Sequence, residues 1–128
     1  MKTPRILIVD DDEQMLKMLR LALHRAGMEV TTAADGGSAL RAFVESPPDL
    51  ALVDIAMPGM DGYDVIERMR EIEAEQDVRA EIVILTAHSQ PLLRTYGVDL
   101  GVRLFLTKPI PPSELVEAIH SVLDGRAR

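Results

Sequence analysis

The sequence contains no cysteine. A disulfide scaffold, a thiolate metal site and a cysteine nucleophile are therefore excluded, and the default compartment is intracellular, the cytoplasm. Tryptophan is also absent, and only two Phe and two Tyr are present, so the core has to be aliphatic. Seven Met, with many Leu, Ile, Val and Ala, can supply it. Positive charge is in deficit: the net charge is −7 at pH 7. That argues against nucleic acid binding through this domain, because phosphates need a basic face. No apolar run approaches the length of a bilayer span, and no membrane partner is expected. Met1-Lys2-Thr3-Pro4-Arg5 runs straight into an apolar strand and an acid run, which is not a secretory signal. Repeats, low-complexity segments and interdomain linkers are lacking. The 128 residues suit a single domain over 1–128, with a core at about 4–124 and a short basic tail at 125–128. A chain of this length buries roughly two thirds of its unfolded surface, enough to fold without staples.

What is there alternates. Arg5 to Val9 is a continuous apolar run that ends in Asp10-Asp11-Asp12, which reads as a buried strand. Glu13 to Ala26 repeats apolar residues at helical spacing, with an acid at its start and Gly27 as its cap. Glu29 to Ala33 is a weaker strand. Gly36-Gly37 reads as a turn, Ser38 to Glu45 as a short helix, and Ser46-Pro47-Pro48 as its stop. Leu50 to Asp54 is the third strand and Tyr63 to about Ile72 the third helix. Glu73 to Ala80 is charged and unpatterned, a loop with a frayed helix end. Ile82 to Thr86 is the fourth strand. Gln90 to Leu100 is a poor helix, because it contains Pro91 and Gly97. Leu104 to Thr107 is the fifth strand, Lys108 to Pro112 a rigid turn, and Ser113 to Leu123 the last helix. Five βα units predict an α/β fold, (βα)5, with a doubly wound parallel sheet and right-handed crossovers. The expected strand order is 2-1-3-4-5, the flavodoxin-like order, with its switch point between strands 1 and 3.

The polar residues fall at strand ends: Asp10 and Asp11 after strand 1, Asp54 after strand 3, Thr86 after strand 4 and Lys108 after strand 5. All four ends open at one edge of a parallel sheet, so these side chains should converge. Three gathered carboxylates repel one another unless a cation or protons offset them. Hard oxygen ligands suit Mg²⁺, which also accepts phosphoryl oxygens. In that setting Asp54 would be a nucleophile toward phosphorus, Lys108 a point cation, and Thr86 a hydroxyl donor to a phosphoryl oxygen.

On these residues the chain resembles the receiver domain of two-component response regulators, the family of the bacterial chemotaxis regulator. The matching stretches are Ile8-Val9-Asp10-Asp11-Asp12-Glu13, Val53-Asp54-Ile55-Ala56-Met57-Pro58-Gly59-Met60-Asp61-Gly62, Ile84-Leu85-Thr86-Ala87 and Phe105-Leu106-Thr107-Lys108-Pro109. The separation of 32 residues from Asp54 to Thr86 is slightly long for the family, which the charged loop at 73–80 explains; the 22 from Thr86 to Lys108 fit. The resemblance covers essentially the whole chain. It implies that Asp54 is the phosphoacceptor and that Asp10 and Asp11 hold Mg²⁺ together with the backbone carbonyl of Ala56. Thr86 and Lys108 would sense the phosphoryl group, and the ring of Phe105 would turn inward on activation. It implies a cis peptide before Pro109, where proline lowers the cost of the cis form. Ala56 and His88 would tune how fast the phosphoryl group is lost. The implied partners are a histidine kinase or phosphotransfer protein, and a downstream protein or second copy meeting the helix 4–strand 5–helix 5 face.

Each residue also has a plain structural reading. Asp12 and Glu13 are better read as helix caps than as ligands. Lys108 taken alone is a turn residue, and Thr86 alone is a β-branched strand residue; their coincidence with Asp10, Asp11 and Asp54 decides against chance. His24 and His120 lack metal-ligand spacing and read as surface residues. Two rival functions stand beside the switch. A pseudo-receiver would bind partners without taking phosphate. An aspartyl phosphatase of the haloacid dehalogenase type would need a second Asp two residues after the nucleophile, where this chain has Ala56.

Overall fold

The computed structural model describes residues 3–59, 61–87 and 96–126. Five strands form one sheet: β1 (Arg5–Val9), β2 (Glu29–Ala33), β3 (Leu50–Val53), β4 (Glu81–Thr86) and β5 (Leu104–Thr107). The helices are α1 (Glu13–Arg25), α2 (Gly36–Glu45), α3 (Gly62–Gln76), a turn of α4 at 96–99, and α5 (Pro112–Arg126). The strands are parallel, in the order β2-β1-β3-β4-β5, as the alternation predicts.

Successive side chains on a strand point to opposite faces, and the core divides accordingly. Leu7, Val9, Ala51, Val53, Ile82 and Ile84 pack with Phe43 of α2 and Val65, Ile66 and Met69 of α3. Ile6, Ile8, Leu50, Leu52, Val83 and Leu85 pack with Leu16, Leu19 and Leu23 of α1 and Leu115 and Ile119 of α5. The central strands β1, β3 and β4 are therefore apolar on both faces, as strands of a parallel sheet must be.

Local chemistry sets the helix ends. The carboxylate of Asp12 caps α1 by accepting from the amides of Gln14 and Met15. Gly27 follows the last turn with φ +88°, in the left-handed region where glycine carries no steric cost. α2 begins two residues before the sequence predicts. Asp35 caps it through the Ser38 amide, so Gly36 and Gly37 form its first turn and not a separate one. Asp54 lies just past β3. α5 starts at Pro112, where a missing N–H costs nothing, and continues through Arg126, two residues into what reads as the tail.

The segment after Ile72 is the largest departure. Helix α3 continues to Gln76 and ends on Asp77 with φ 54° and ψ 44°. Glu73 is buried there, a position the charge-rich sequence does not advertise. Its carboxylate accepts from Arg70 Nη1 at 2.7 Å and from the Ala80 amide at 2.6 Å. A buried carboxylate is tolerable when paired and hydrogen-bonded in this way. The signal available in sequence was the Arg70–Glu73 spacing, which places opposite charges on one helix face.

Candidate functional site

Backbone hydrogen bonds carry the strand register past the strand ends. The Asp10 amide donates to the Ala33 carbonyl at 3.1 Å, the Asp54 amide to the Val9 carbonyl at 2.9 Å, and the Lys108 amide to the Thr86 carbonyl at 2.9 Å. The alternation that sends Ile6, Ile8, Leu50, Leu52, Leu104 and Leu106 to the α1/α5 side gives Asp10, Asp54 and Lys108 the same parity. These three meet. Lys108 Nζ donates to Asp10 Oδ2 at 2.7 Å and to Asp54 Oδ2 at 3.1 Å.

Each carboxylate uses its other oxygen on the backbone. Asp10 Oδ1 accepts from the Asp12 amide at 2.9 Å, and Asp54 Oδ1 from the Ala56 amide at 2.9 Å. Asp10 and Asp54 are 2% and 6% exposed, so their charges depend on these donors. Burial alone would lower the pKa of Lys108. The hydrogen bonds to Asp10 and then Asp54, reinforced by their charges, outweigh it and hold the ammonium above the ordinary lysine value.

Asp11 is exposed, yet one carboxylate oxygen each from Asp10, Asp11 and Asp54 lie within 4.8 Å of one another. Three hard oxygens so close form a donor set of the kind that suits Mg²⁺. Lys108 supplies one positive charge against three negative ones, so the cluster has electrostatic room for a divalent cation.

Thr86 and Phe105, the residues expected to respond to the phosphoryl group, take the other parity. Thr86 follows Ile82 and Ile84, and Phe105 lies between Leu104 and Leu106. Thr86 is buried and stands two residues beyond Ile84, the register partner of Val53. Phe105 is half-buried and packs against the α2/α3 core. The Lys108–Pro109 peptide is cis. Ala56 is exposed. His88 and Pro91 lie outside the described residues, so the expectations attached to them stay with the sequence.

Sequence reasoning missed the role of Gly62. A Cβ there would stand 2.5 Å from the Asp54 carbonyl oxygen and 2.5 Å from Ile55 Cα. Both are backbone atoms that cannot step aside. The missing side chain lets the start of α3 lie directly on the backbone that carries Asp54. The signal was Asp61-Gly62, a cap followed by a glycine where a helix begins.

An open parallel sheet in this order, with its polar groups gathered where strands 1 and 3 diverge, defines the flavodoxin-like class. A family model described as the response regulator receiver domain matches residues 6–120, and the chain belongs to that family. The transcriptional regulatory protein PrrA of Mycobacterium tuberculosis is 36% identical over 124 residues, covering 97% of this chain and 52% of PrrA. The alkaline phosphatase synthesis transcriptional regulatory protein PhoP of Bacillus subtilis is 34% identical over 119 residues, 93% of this chain and 48% of PhoP. The chain thus spans about half the length of these regulators. Among solved structures, a CheY-like receiver domain protein from Methanospirillum hungatei aligns with a TM-score of 0.90 at 28% identity, over 98% of both chains. The domain is therefore a two-component receiver. Among the described residues no helix is long and apolar enough to cross a membrane.

Proposed function

We propose that this receiver takes a phosphoryl group onto Asp54 from the phosphohistidine of a histidine kinase or phosphotransfer protein, in the cytoplasm. The observation that carries the reading is the Lys108 ammonium, hydrogen-bonded to both Asp10 and Asp54 with Asp11 close by. A carboxylate oxygen of Asp54 attacks phosphorus, the P–N bond breaks, and the imidazole nitrogen leaves with the electron pair. Asp10, Asp11 and Asp54, with the Ala56 carbonyl, would hold Mg²⁺, which when bound offsets charge on the phosphoryl oxygens. Lys108 keeps Asp10 and turns its second hydrogen bond from Asp54 to a phosphoryl oxygen. Thr86 donates its hydroxyl to another. Phe105 follows into the space that Thr86 leaves, and the α4–β5–α5 face shifts between two populations. That face then meets a downstream protein or a second copy.

Acetyl phosphate or beryllofluoride with Mg²⁺ should load the protein, and Asp54→Ala should abolish loading. Loading that persists in the variant, read by intact-protein mass or by fluoride resonances, would overturn the assignment. Ala56 offers no group to orient a water, so the phosphorylated state should outlast that of Ala56→Asn. Equal lifetimes in the two proteins would remove Ala56 from the rate-tuning role. Any self-catalysed loss of phosphate is slow, and no other reaction is assigned.

A further inference from the structure

Three of the four aromatic residues of this chain gather around one glycine. Gly97 lies in the described turn of α4. A Cβ built on it would stand 2.4 Å from Phe105 Cζ, 2.8 Å from Phe105 Cε2 and 3.4 Å from Tyr63 Cε1. Tyr63, at the start of α3, meets Tyr96 edge-to-face, with ring centroids 5.1 Å apart and planes at 65°. The fourth aromatic, Phe43, belongs to α2 and is buried in the core. The ring of Phe105 therefore occupies the volume that a side chain at position 97 would fill.

The backbone at Gly97 is not free to back away. The Val102 amide donates to the Gly97 carbonyl at 3.0 Å, and the Gly101 amide to the Val98 carbonyl at 2.9 Å. With Gly101 at φ +79°, this is a Schellman end to α4. Arg70 fixes the same turn from α3: Nε donates to the Leu100 carbonyl at 2.9 Å and Nη2 to the Gly101 carbonyl at 3.1 Å. Glu73 and the Ala80 carbonyl in turn hold Nη1 of Arg70. When a side chain is added at 97, the part able to yield is the far end of the Phe105 ring.

We propose that Gly97 is a positioning residue for the aromatic readout. By carrying no side chain it seats the Phe105 ring against α4 and Tyr63 before any phosphoryl group arrives, and so biases the α4–β5–α5 face toward the ring-seated arrangement. This rests on the reading of Asp54 as phosphoacceptor and Phe105 as its readout. Coupling between two sites is reciprocal, so unseating the ring must change how tightly the phosphoryl site binds.

The alternative is that Gly97 is only a weak helix residue. The two differ in sign. On helix propensity alone, Gly97→Ala raises the thermal midpoint in any background. On the proposal it lowers the midpoint in the parent, and raises it in Phe105→Ala, where no ring is displaced. A rise in both backgrounds overturns the proposal. Phenylalanine ring labelling gives a second readout that does not need the double variant. Gly97→Ala should move the Phe105 ring resonances and leave those of Phe43 in place, whereas unmoved Phe105 resonances overturn it. With Mg²⁺ present, Gly97→Ala should change beryllofluoride affinity about tenfold, and unchanged affinity overturns the bias. If the parent itself fails to bind beryllofluoride, the phosphoacceptor reading falls, while the sign test and the ring resonances still judge the seat.

Discussion

The two faces of the sheet share the same strands and differ in what those strands carry beyond their ends. On the α1/α5 side, the rows of Ile and Leu continue into Asp10, Asp54 and Lys108, which are charged, buried or nearly so, and bonded to one another. On the α2/α3 side, the rows continue into Thr86 and pass Phe105, beside Tyr63, Tyr96 and Gly97. The first face holds charge in fixed geometry. The second holds aromatic rings against a glycine, where a change of rotamer moves bulk without moving charge. The residues proposed for chemistry and those proposed for readout therefore sit on opposite sides of one sheet.

That division can be broken by substitution. The largest effect should come from Lys108→Met, which leaves Asp10 and Asp54 facing each other with no ammonium between them. Loading of Asp54 should fall about 10²-fold, and stability without added metal by about 3 kcal/mol. Chemical denaturation with and without Mg²⁺ checks this, and the metal should restore part of the loss. Next comes Glu73→Gln on the other side. It weakens the hold on Arg70 and on the Ala80 amide and should cost about 2 kcal/mol, with the rate of phosphoryl loading unchanged. A loading rate that fell with stability would mean the two faces are not separable.

The smallest effects are in pH, and they have opposite signs. The pKa of Lys108 is raised, so its stabilisation is complete below about pH 10.4 and fades as pH rises through its folded value. Asp35, on the α2 side, is lowered by the Ser38 amide and then by the Ser38 hydroxyl. Its contribution is present above about pH 3.9 and is lost as pH falls. Thermal midpoints across both ranges should therefore show an alkaline loss that Lys108→Met removes and an acid loss that Asp35→Ala reduces.

Much of this was legible in the sequence because parallel strands leave a plain mark. Ile6-Leu7-Ile8-Val9, Leu50 to Val53 and Ile82 to Leu85 are apolar without interruption, and each is followed by a polar residue. Once the five strands are ordered 2-1-3-4-5, Asp10, Asp54 and Lys108 must meet. What stayed hidden depends on contacts that no periodicity encodes. Glu73 looks like surface charge until Arg70 and the Ala80 amide are seen around it. Gly97 looks like a helix breaker, since its effect lies in the volume it leaves to Phe105. Gly62 looks like turn punctuation until the Asp54 backbone is found against it.

The register bonds at the strand ends have a consequence for where this chain tolerates a change of length. Asp54 is tied to Val9, and Lys108 to Thr86, by hydrogen bonds of adjacent strands. The residues from Glu73 to Ala80 lie at the opposite edge of the sheet, where α3 turns back into β4. Inserting a residue there lengthens the path from Asp54 to Thr86 but leaves their spatial relation to the sheet. Inserting one between Leu50 and Asp54 turns the carboxylate to the other face, away from Lys108. Counting residues between Asp54 and Thr86 therefore measures the far edge of the molecule and says little about the reacting one.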